Sequence, residues 1–448
     1  MSIAYMMERM AEHKSDEAVV AGNIKITYED LLSGYAEAKS RLEEEAVSQH
    51  AVVALEGDYS VEVISMFLAL VENRNIIVPI SSDSRVNRDY FVEVSEAEYT
   101  IHFVSEKPKI LKTGQKSEHQ LYKKIHGRNT PGLVLFSSGT TGKPKGIVQD
   151  LGMLMEKFKV LRKPWRMLIF LQLDHIGGIN SLLYSLFNGG TIIVAKNRSP
   201  AGVCKAIQDH RAQLLPTSPT FLNLLLLSRQ YEKYDLSSLK LITYGTEPMP
   251  QSTLDRLDEV FPNVKLQQTY GMSELGILRS KSRDSKSLWM KIGGEEFNIK
   301  IVDNMLWVKA ESSMLGYLNA PDPFDEEGYL CTRDIVEQDG EWIRILGRDS
   351  EIINVGGLKV FPAEVESVLL EMDNVEDVVV FDQQHPITGQ IVVAQIRLQE
   401  IEESRDFKIR MRRFCKEKLQ SYKIPSKVFI TDKSLHNERF KRMRRMAV

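Results

Sequence analysis

Apolar residues recur along the first third of the chain in two spacings, one typical of helices and one typical of buried strands. Apolar runs at residues 51–55 and 76–79 predict short buried strands, and residues 28–45 and 61–72 follow the period of a helix. Strands that alternate with helices pair into largely parallel sheets covered by helices. This part of the chain is therefore predicted to have an α/β fold.

The alternation continues through the middle of the chain and then gives way to shorter strands. The predicted strands are 132–136, 167–171, 191–194 and 239–244, and the predicted helices are 182–187 and 221–228. Residues 105–131 are rich in Lys, Gln and His and are predicted to be a surface connection. From about Ile299, short strands at 305–308, 328–330 and 341–346 indicate a more antiparallel, β-rich subdomain.

A second change of pattern near residues 347–350 predicts a domain boundary. The following segment has the pattern of a small α+β unit, with helices at 363–371 and 407–418 and strands at 378–381 and 391–398. A chain of 448 residues is too long for one ordinary core. We predict a large N-terminal domain, residues 1–348, and a small C-terminal domain, residues 349–448.

Composition and charge exclude few classes of protein. Lys plus Arg (58) nearly balance Asp plus Glu (61), so there is no global electrostatic case for nucleic acid or membrane binding. The three cysteines are far apart and match no metal-ligand spacing, which favours free thiols in a reducing compartment. Residues 1–17 have no signal-peptide apolar core, and no run approaches eighteen apolar residues. A cytoplasmic protein without a membrane span is expected.

The segment from Ser137 to Gly146 has the composition of an anion-binding loop. It holds four hydroxyl residues, three glycines and two lysines, and it follows a predicted strand. Glycines let backbone N–H groups turn toward an anion, and hydroxyls and lysines add donors and charge. Composition alone favours a flexible surface loop equally well. A P-loop is not indicated, because Gly142 and Lys143 are followed by Pro144 rather than Ser or Thr.

This loop resembles the phosphate-binding signature of the acyl-adenylate-forming superfamily, which includes acyl- and aryl-CoA ligases, peptide-synthetase adenylation domains and luciferases. Further segments resemble motifs of that superfamily in the same order, over residues from about 20 to 441. They are residues 244–248 (adenine wall), 269–274 (aromatic motif), Asp334, the pair Gly347 and Arg348, residues 354–366 (start of the mobile domain) and Lys441. The chain is thus identified as a member of this superfamily, with a mobile C-terminal domain.

The resemblance implies a role for each matching residue. The catalytic residues would be Thr141, Lys145, Glu274 and Lys441, with Glu274 also holding Mg²⁺. His175 and Tyr244 would line the acid pocket, and Gly357 would border a thiol tunnel. The nucleotide would be bound by Ser137, Ser138, Gly139, Thr140, Gly142, Gly245, Thr246, Glu247, Thr269, Tyr270, Gly271, Met272, Ser273, Asp334 and Arg348.

Each of these side chains also has an ordinary explanation. Tyr270 is suited to stacking on adenine, but core packing is the alternative. Glu274 suits Mg²⁺, which prefers oxygen ligands, yet a solvated surface carboxylate is common. Asp334 could accept both ribose hydroxyls or occupy a turn, and Arg348 could bind ribose or phosphate or form a surface ion pair. A lone histidine such as His175 is most often structural.

Lys441 lies in a strongly basic run, residues 439–445, for which a solvated tail is the plain explanation. The resemblance instead makes it the cation between the substrate carboxylate and the α-phosphate, where a point ammonium stabilises developing charge.

Several positions along the chain depart from the superfamily pattern. Arg333 and Phe440 replace glycines, and Ser273 replaces a threonine. Ser350 stands where many relatives have an acidic or lysine hinge residue.

The resemblance implies an ATP-dependent ligase with two half-reactions. A carboxylic acid would first form an acyl-AMP, and a pantetheine thiol would then collect the acyl group. Coenzyme A is the preferred acceptor, and the phosphopantetheine of a separate acyl carrier protein is the alternative. The expected cofactors are ATP, Mg²⁺ and coenzyme A, and a homodimer is left open. The rivals are a non-catalytic acyl-adenylate-binding protein and, based on the basic tail, a nucleic-acid binder.

Overall fold

Helices and strands alternate over residues 2–104, 107–137, 143–294, 296–436 and 442–443, the part of the chain that this computed structural model describes. Several helices begin at side-chain caps: Thr27 and Asp30 form a capping box, and the Ser60 hydroxyl accepts from the Val63 N–H. The helices are Ser2–Glu12 (α1), Tyr28–Glu44 (α2), Val61–Glu72 (α3), Arg88–Val94 (α4), Gln120–Arg128 (α5), Leu151–Glu156 (α6), Ile176–Asn188 (α7), Pro200–His210 (α8), Pro219–Ser228 (α9), Gln251–Val260 (α10), Pro362–Leu369 (α11) and Ser404–Lys416 (α12).

The strands are short before residue 330 and longer after it. In chain order they are Glu17–Ala21 (β1), Ile24–Thr27 (β2), Val52–Glu56 (β3), Ile76–Ile80 (β4), Tyr99–Val104 (β5), Lys107–Lys112 (β6), Gly132–Ser137 (β7), Lys145–Asp150 (β8), Arg166–Ile169 (β9), Thr191–Val194 (β10), Leu214–Thr217 (β11), Leu241–Tyr244 (β12), Lys265–Gln268 (β13), Tyr270–Met272 (β14), Gly276–Leu278 (β15), Ser280–Ser282 (β16), Met290–Ile292 (β17), Phe297–Val302 (β18), Met305–Ala310 (β19), Gly316–Tyr317 (β20), Leu330–Asp339 (β21), Trp342–Arg348 (β22), Ile353–Val355 (β23), Leu358–Val360 (β24), Val375–His385 (β25), Gly389–Leu398 (β26) and Lys427–Ile430 (β27).

Two seven-stranded sheets dominate the N-terminal part. Their strand orders are β13-β12-β11-β9-β10-β1-β2 and β20-β8-β7-β4-β3-β5-β6. In the first sheet only β2 is antiparallel to its neighbour. In the second, β7, β4, β3 and β5 are parallel and the outer strands are antiparallel. Helix α3 is buried along nine of its residues, as expected for a helix covered on most sides. The predicted α/β fold with helix-covered parallel sheets is confirmed.

The predicted β-rich subdomain is confirmed as a six-stranded antiparallel sheet of order β16-β17-β22-β21-β19-β18. The prediction of a strand over residues 328–330 was wrong at its start. Gly328 has φ +82° and its N–H donates to the Asp325 carbonyl, while the Asp325 carboxylate accepts from the Tyr329 N–H. An aspartate-centred turn therefore occupies this segment, and the strand begins at Leu330.

The prediction of a surface connection over residues 105–131 was also wrong. Strand β6 pairs with β5 at the edge of the second sheet, and helix α5 buries Leu121, Tyr122 and Ile125. Residues 105 and 106 lie outside the described part of the chain. The polar composition misled because β6 is an edge strand with most residues exposed, and because α5 buries only one narrow face.

The C-terminal part is a five-stranded sheet of order β24-β23-β26-β25 with β27 beside β26, and α11 and α12 pack on it. Its apolar clusters draw on residues 353–435. Among the described residues, the hydrogen bonds that join it to the N-terminal part include Ser252 to the Ser367 carbonyl (3.1 Å) and Asn223 to the Glu376 carbonyl (3.4 Å). The boundary between residues 348 and 349 stays a prediction. Within the described ranges, no helix has the length and apolar character that a membrane crossing requires.

Candidate active site

Three predicted nucleotide-binding residues meet between β14, β21 and β22. The Tyr270 hydroxyl donates to Asp334 Oδ2 at 2.7 Å, and Arg348 Nε lies 3.2 Å from Asp334 Oδ1. Residues 334 and 348 are paired across β21 and β22, so the sheet register fixes this contact. Burial raises the pKa of Asp334, and the charge of Arg348 and the Tyr270 hydroxyl only partly oppose that effect. The result is a fixed, buried carboxyl group suited to accepting hydroxyl groups.

Arg333, which stands where the superfamily has glycine, adopts a left-handed backbone conformation. Its φ is +58°, which lies in a region that residues other than glycine rarely occupy. The following residue, Asp334, donates its backbone N–H to the Thr332 hydroxyl at 3.1 Å. The unusual conformation therefore turns the strand immediately before the aspartate, and the departure from glycine leaves the local geometry of Asp334 intact.

Substituting Arg333 by glycine is expected to stabilise the fold by about 1 kcal/mol, because glycine avoids the steric cost of positive φ. Urea unfolding of the full chain measures this change. Arg333→Ala is the matched control, since it removes the charge and the long side chain but keeps the Cβ atom. Equal stabilisation by alanine and glycine would contradict the backbone explanation.

The second part of the site joins Glu274 to the phosphate loop through a tyrosine. The Tyr317 hydroxyl donates to Glu274 Oε1 at 2.9 Å, and Lys145 Nζ lies 5.0 Å from the centre of the Tyr317 ring. Glu274 is 9% exposed, so it is not the solvated carboxylate considered as an alternative. Ser137 and Lys145 are paired across β7 and β8 and hold the two ends of the loop. Sequence reasoning missed Tyr317, because β20 reaches β8 from 170 residues downstream.

A clamp holds the base of the phosphate loop. Asn319 accepts from the Gly146 N–H (3.0 Å) and donates to the Pro144 carbonyl (3.0 Å) and to the Tyr90 hydroxyl (3.0 Å). Tyr90 in turn donates to the Pro144 carbonyl at 3.1 Å. The remaining predicted loop residues, Ser138, Gly139, Thr140, Thr141 and Gly142, lie outside the described residues. The clamp was not predicted either, because its members come from three distant segments.

The predicted adenine-wall segment lies beside the aromatic motif. The Tyr244 carbonyl accepts from the Thr269 N–H (2.8 Å) and from its hydroxyl (3.1 Å). A Cβ atom at Gly245 would lie 2.7 Å from the Thr269 carbonyl oxygen, so glycine is required there. Thr246 has φ +75°, a strained conformation of the kind that concentrates at functional sites. Glu247 accepts from the Thr220 N–H at the start of α9 (2.8 Å).

The rest of the aromatic motif is fixed by its neighbours in the sheet. Gly271 pairs with Ile277, and Met272 pairs with Gly276, across β14 and β15. The Ser273 carbonyl accepts from the Gln149 side chain at 2.5 Å. Gln149 is buried and lies on β8, directly after the phosphate loop, so the loop strand and the aromatic motif are tied together. Gln149 is another residue that the sequence did not indicate.

The two predicted pocket residues have different surroundings. His175 caps α7, and its Nδ1 accepts from the Gly177 N–H at 3.0 Å, so in the neutral ring the proton lies on Nε2. His175 and Thr246 line one recess, closed on another side by the Asp83–Arg198 ion pair (2.6 Å). Tyr244 is fully buried in the apolar cluster of the first sheet. Its ring is part of the core of that sheet.

The predicted residues of the C-terminal part lie on a separate sheet. Gly357, with φ +89°, forms the turn between β23 and β24 and donates its N–H to the Asn354 side chain at 2.9 Å. Lys441 lies outside the described residues. Its neighbour Arg442 is paired with Glu366, and both side chains are buried. Burial opposes the charge of Arg442, but the carboxylates of Glu366, Asp377 and Glu247 outweigh it and raise the Arg442 pKa.

Glu274 is the described residue best suited to Mg²⁺. Its carboxylate supplies the hard oxygen that this cation prefers, and the ion usually completes its coordination with phosphate oxygens and water. No group of three or more His, Cys, Asp or Glu side chains in the described ranges could hold a metal by itself.

Comparison with known protein families assigns this arrangement to a class. The profile of the AMP-binding enzyme family matches residues 6–318, and that of the AMP-binding enzyme C-terminal domain matches residues 364–441. The chain belongs to the AMP-binding enzyme family. The resemblance to acyl-adenylate-forming enzymes inferred from the motifs is thereby confirmed.

Curated relatives match only part of their own length. The chain is 31% identical over 304 residues to acyl-CoA synthetase 7 of Caenorhabditis elegans, covering 60% of this chain and 56% of that protein. It is 29% identical over 333 residues to 4-coumarate–CoA ligase 3 of Oryza sativa subsp. japonica, covering 66% and 60%. The matches thus span less than two thirds of these relatives.

Solved structures share the fold over nearly the whole chain. An o-succinylbenzoate CoA synthetase from Bacillus subtilis, in complex with its acyl-adenylate intermediate, has a TM-score of 0.78 at 22% identity and covers 98% of this chain and 96% of its own. An anthranilate CoA ligase in complex with anthranoyl-AMP has a TM-score of 0.83 at 19% identity, covering 98% and 95%. At such identities the likeness concerns the fold.

Proposed function

We propose that the protein is an ATP-dependent carboxylic acid ligase that forms an acyl-AMP and transfers the acyl group to the thiol of coenzyme A. The observation that carries this proposal concerns residues 270–274, which form one short strand and the turn after it. Each end of this segment belongs to a cluster of polar side chains. At the start of this segment, Tyr270 donates to Asp334, which is paired with Arg348. At its end, Glu274 accepts from Tyr317, whose ring lies beside Lys145. One nucleotide would then reach both groups, with its ribose at Asp334 and its phosphates near Glu274 and Lys145.

In the first half-reaction, a carboxylate oxygen of the acid attacks the α-phosphorus of ATP and pyrophosphate leaves. Asp334 would accept hydrogen bonds from the ribose hydroxyls while Arg348 balances its charge. The loop from Ser137 to Gly142 would hold the β- and γ-phosphates, with Thr141 and Lys145 on the reacting side. Catalysis here consists of positioning and charge stabilisation. Mg²⁺, when bound, neutralises phosphate charge, and Glu274 would hold it.

In the second half-reaction, a thiol sulfur attacks the acyl carbonyl carbon and AMP leaves. We propose that, before the thiol attacks, residues 349–448 rotate about Asp349 and Ser350, withdraw Lys441 and bring Gly357 to the thiol path. The Ser252–Ser367 hydrogen bond between α10 and α11 is a polar contact that such a motion would break. Coenzyme A is the preferred thiol, because the curated relatives are named as CoA ligases. A cytoplasmic location is part of the same proposal.

A panel of carboxylic acids tests the proposal. We expect ATP-dependent pyrophosphate release with at least one acid, and formation of its thioester when coenzyme A is added. If an acid releases pyrophosphate but only a holo acyl carrier protein accepts the acyl group, the acceptor assignment is wrong and the ligase assignment stands. If no acid releases pyrophosphate and Lys441→Ala changes nothing, the chain is an acyl-adenylate-binding protein without activity.

Substituting Tyr317 by phenylalanine is expected to raise the Mg²⁺ concentration needed for half-maximal pyrophosphate release about tenfold, because outer-shell partners of a metal ligand tune its affinity. The ring beside Lys145 is retained, so only the hydrogen bond to Glu274 is lost. A Mg²⁺ titration of both proteins measures the effect. Tyr329→Phe, a substitution outside the site, is the control, and an unchanged titration for Tyr317→Phe would contradict the proposed position of the ion.

A further inference from the structure

A lysine outside the motifs contacts β15, the strand that pairs with the aromatic motif. Lys157, in the short 3-10 helix Lys157–Lys159, directs its ammonium group inward. The Nζ atom donates to Asn180 Oδ1 at 2.7 Å and to the Ile277 carbonyl at 2.8 Å. Both acceptors are neutral, and among the described residues no carboxylate forms an ion pair with this amine. A buried ammonium without a counterion is costly.

The charges around Lys157 increase that cost. The nearby charged groups are Arg162, Arg279 and Glu296, and Glu296 is already bound to Arg279 at 3.0 Å. The pKa of Lys157 is lowered to about 7, chiefly by burial and further by the charges of Arg162 and Arg279. Glu296 only partly opposes these effects. The Arg279 Nε atom is also buried, without a hydrogen-bond partner in the described part of the chain. This environment has an excess of positive charge and of donors.

The position of Lys157 relates it to the acid substrate. Ile277, whose carbonyl it binds, pairs directly with Gly271 of the aromatic motif. Asn180 lies five residues after His175 on α7, or about 7.5 Å along the helix axis. Lys157, Asn180 and Ile277 are each partly exposed, although the apolar residues around them on α6 and α7 are buried. The three contacting residues therefore form a polar spot that solvent partly reaches, next to the strand that pairs with the aromatic motif.

We propose that Lys157 binds a second carboxylate at the end of the acid substrate remote from the carboxylate that is activated. The inference rests on the proposed ligase function and narrows its substrate class to dicarboxylic acids. The second carboxylate would supply the missing counterion and accept from the third Nζ–H, which the two protein acceptors leave available.

Matched pairs of acids test this assignment. Suberate is compared with octanoate, and 3-(4-carboxyphenyl)propanoate with 3-phenylpropanoate, with pyrophosphate release as the readout. We expect kcat/KM of the native protein to favour the diacid of at least one pair about 10- to 100-fold, the range of a charge-assisted hydrogen bond. Lys157→Met is expected to abolish or reverse that preference while the monoacid rate stays within about threefold.

Lys159→Met is the matched control. Lys159 belongs to the same 3-10 helix, but it is partly exposed and paired with Glu156, so its loss should leave the diacid preference intact. Lys157→Gln keeps hydrogen-bond donors without the charge and provides a second variant if Lys157→Met impairs folding. Thermal unfolding measures the stability of both variants. Equal loss of diacid and monoacid turnover in both variants would show a structural lysine and overturn the assignment.

The two proposals fail in distinguishable ways. Native protein that activates monoacids without any diacid preference keeps the ligase function and refutes the role of Lys157. Native protein that releases pyrophosphate with no acid of either kind refutes the ligase function, and the diacid assignment falls with it.

Discussion

Replacing Lys441 with alanine is expected to lower the rate of acyl-adenylate formation about 100- to 1,000-fold, the range seen when one group that stabilises transition-state charge is removed. The resemblance makes Lys441 the cation between the attacking carboxylate and the α-phosphate. The thiol step should be nearly unaffected, because Lys441 is withdrawn before it. Pyrophosphate release measures the first step, and conversion of synthetic acyl-AMP to the thioester measures the second.

Two further substitutions separate a specific role of Lys441 from a general effect of the basic run. Arg439→Ala removes a neighbouring cation to which the resemblance gives no catalytic role, and it is expected to leave adenylation within about twofold. Lys441→Arg keeps the charge but replaces a compact ammonium by a planar guanidinium, and we expect it to restore little. Equal effects of Arg439→Ala and Lys441→Ala on adenylation would contradict the assignment.

Replacing Arg442 with methionine is expected to destabilise the C-terminal part by about 3–5 kcal/mol, because removing one partner of a buried ion pair leaves the other charge uncompensated. Arg442 is 6% exposed and Glu366 is 0% exposed. Glu366 also accepts from the Val380 N–H of β25 at 2.9 Å, so the pair ties Arg442 to helix α11 and to the sheet. Hydrogen exchange of β25 and β26, together with urea unfolding, measures the loss.

The double variant Arg442→Met and Glu366→Gln isolates the cause of that loss. Glutamine keeps an acceptor for the Val380 N–H without a charge, so the double variant should recover more than half of the stability lost by Arg442→Met alone. Lys418→Met is the control, because Lys418 pairs with Glu371 on the same part of the protein but is exposed. A loss equal to that of the control would refute a buried, stabilising pair.

The sequence predicted those parts of the fold whose signal is local. Residues 61–72 form a helix over the predicted range because a cap at Ser60 and a continuous apolar pattern agree. Helix α7 and strands β25 and β12 were predicted in place, with ends that differ by a few residues. Helix boundaries depend on caps and on tertiary contacts rather than on period alone.

The contacts between motifs could not be predicted in the same way. The motifs named Tyr270, Asp334 and Arg348, but the hydrogen bond of Tyr270 with Asp334 depends on how β14 meets β21. Tyr317 and Asn319 complete the site from a segment without any periodic signal, and they reach β8 and the loop only through tertiary folding. Such contacts are set by sheet topology, and spacing along the chain carries no information about them.

Two departures from the superfamily pattern, Arg333 and Phe440, bear on whether the protein is active. They were the two departures that supported a non-catalytic rival. Arg333 adopts the left-handed conformation that a glycine would adopt and leaves Asp334 bonded to Tyr270 and Arg348. Phe440 lies outside the described residues, so its effect on Lys441 stays open to the mutational test above. The remaining case for an inactive protein is therefore narrow.

The central claim is that a carboxylate attacks the α-phosphorus of ATP. The most direct measurement follows an accepted acid labelled with ¹⁸O in its carboxylate through one full reaction with ATP and coenzyme A. Because the acyl–oxygen bond breaks when the thiol attacks, one labelled oxygen must remain on AMP, and mass spectrometry of the products should find it there beside unlabelled pyrophosphate. Label in inorganic phosphate beside ADP, or AMP without label, would contradict the account.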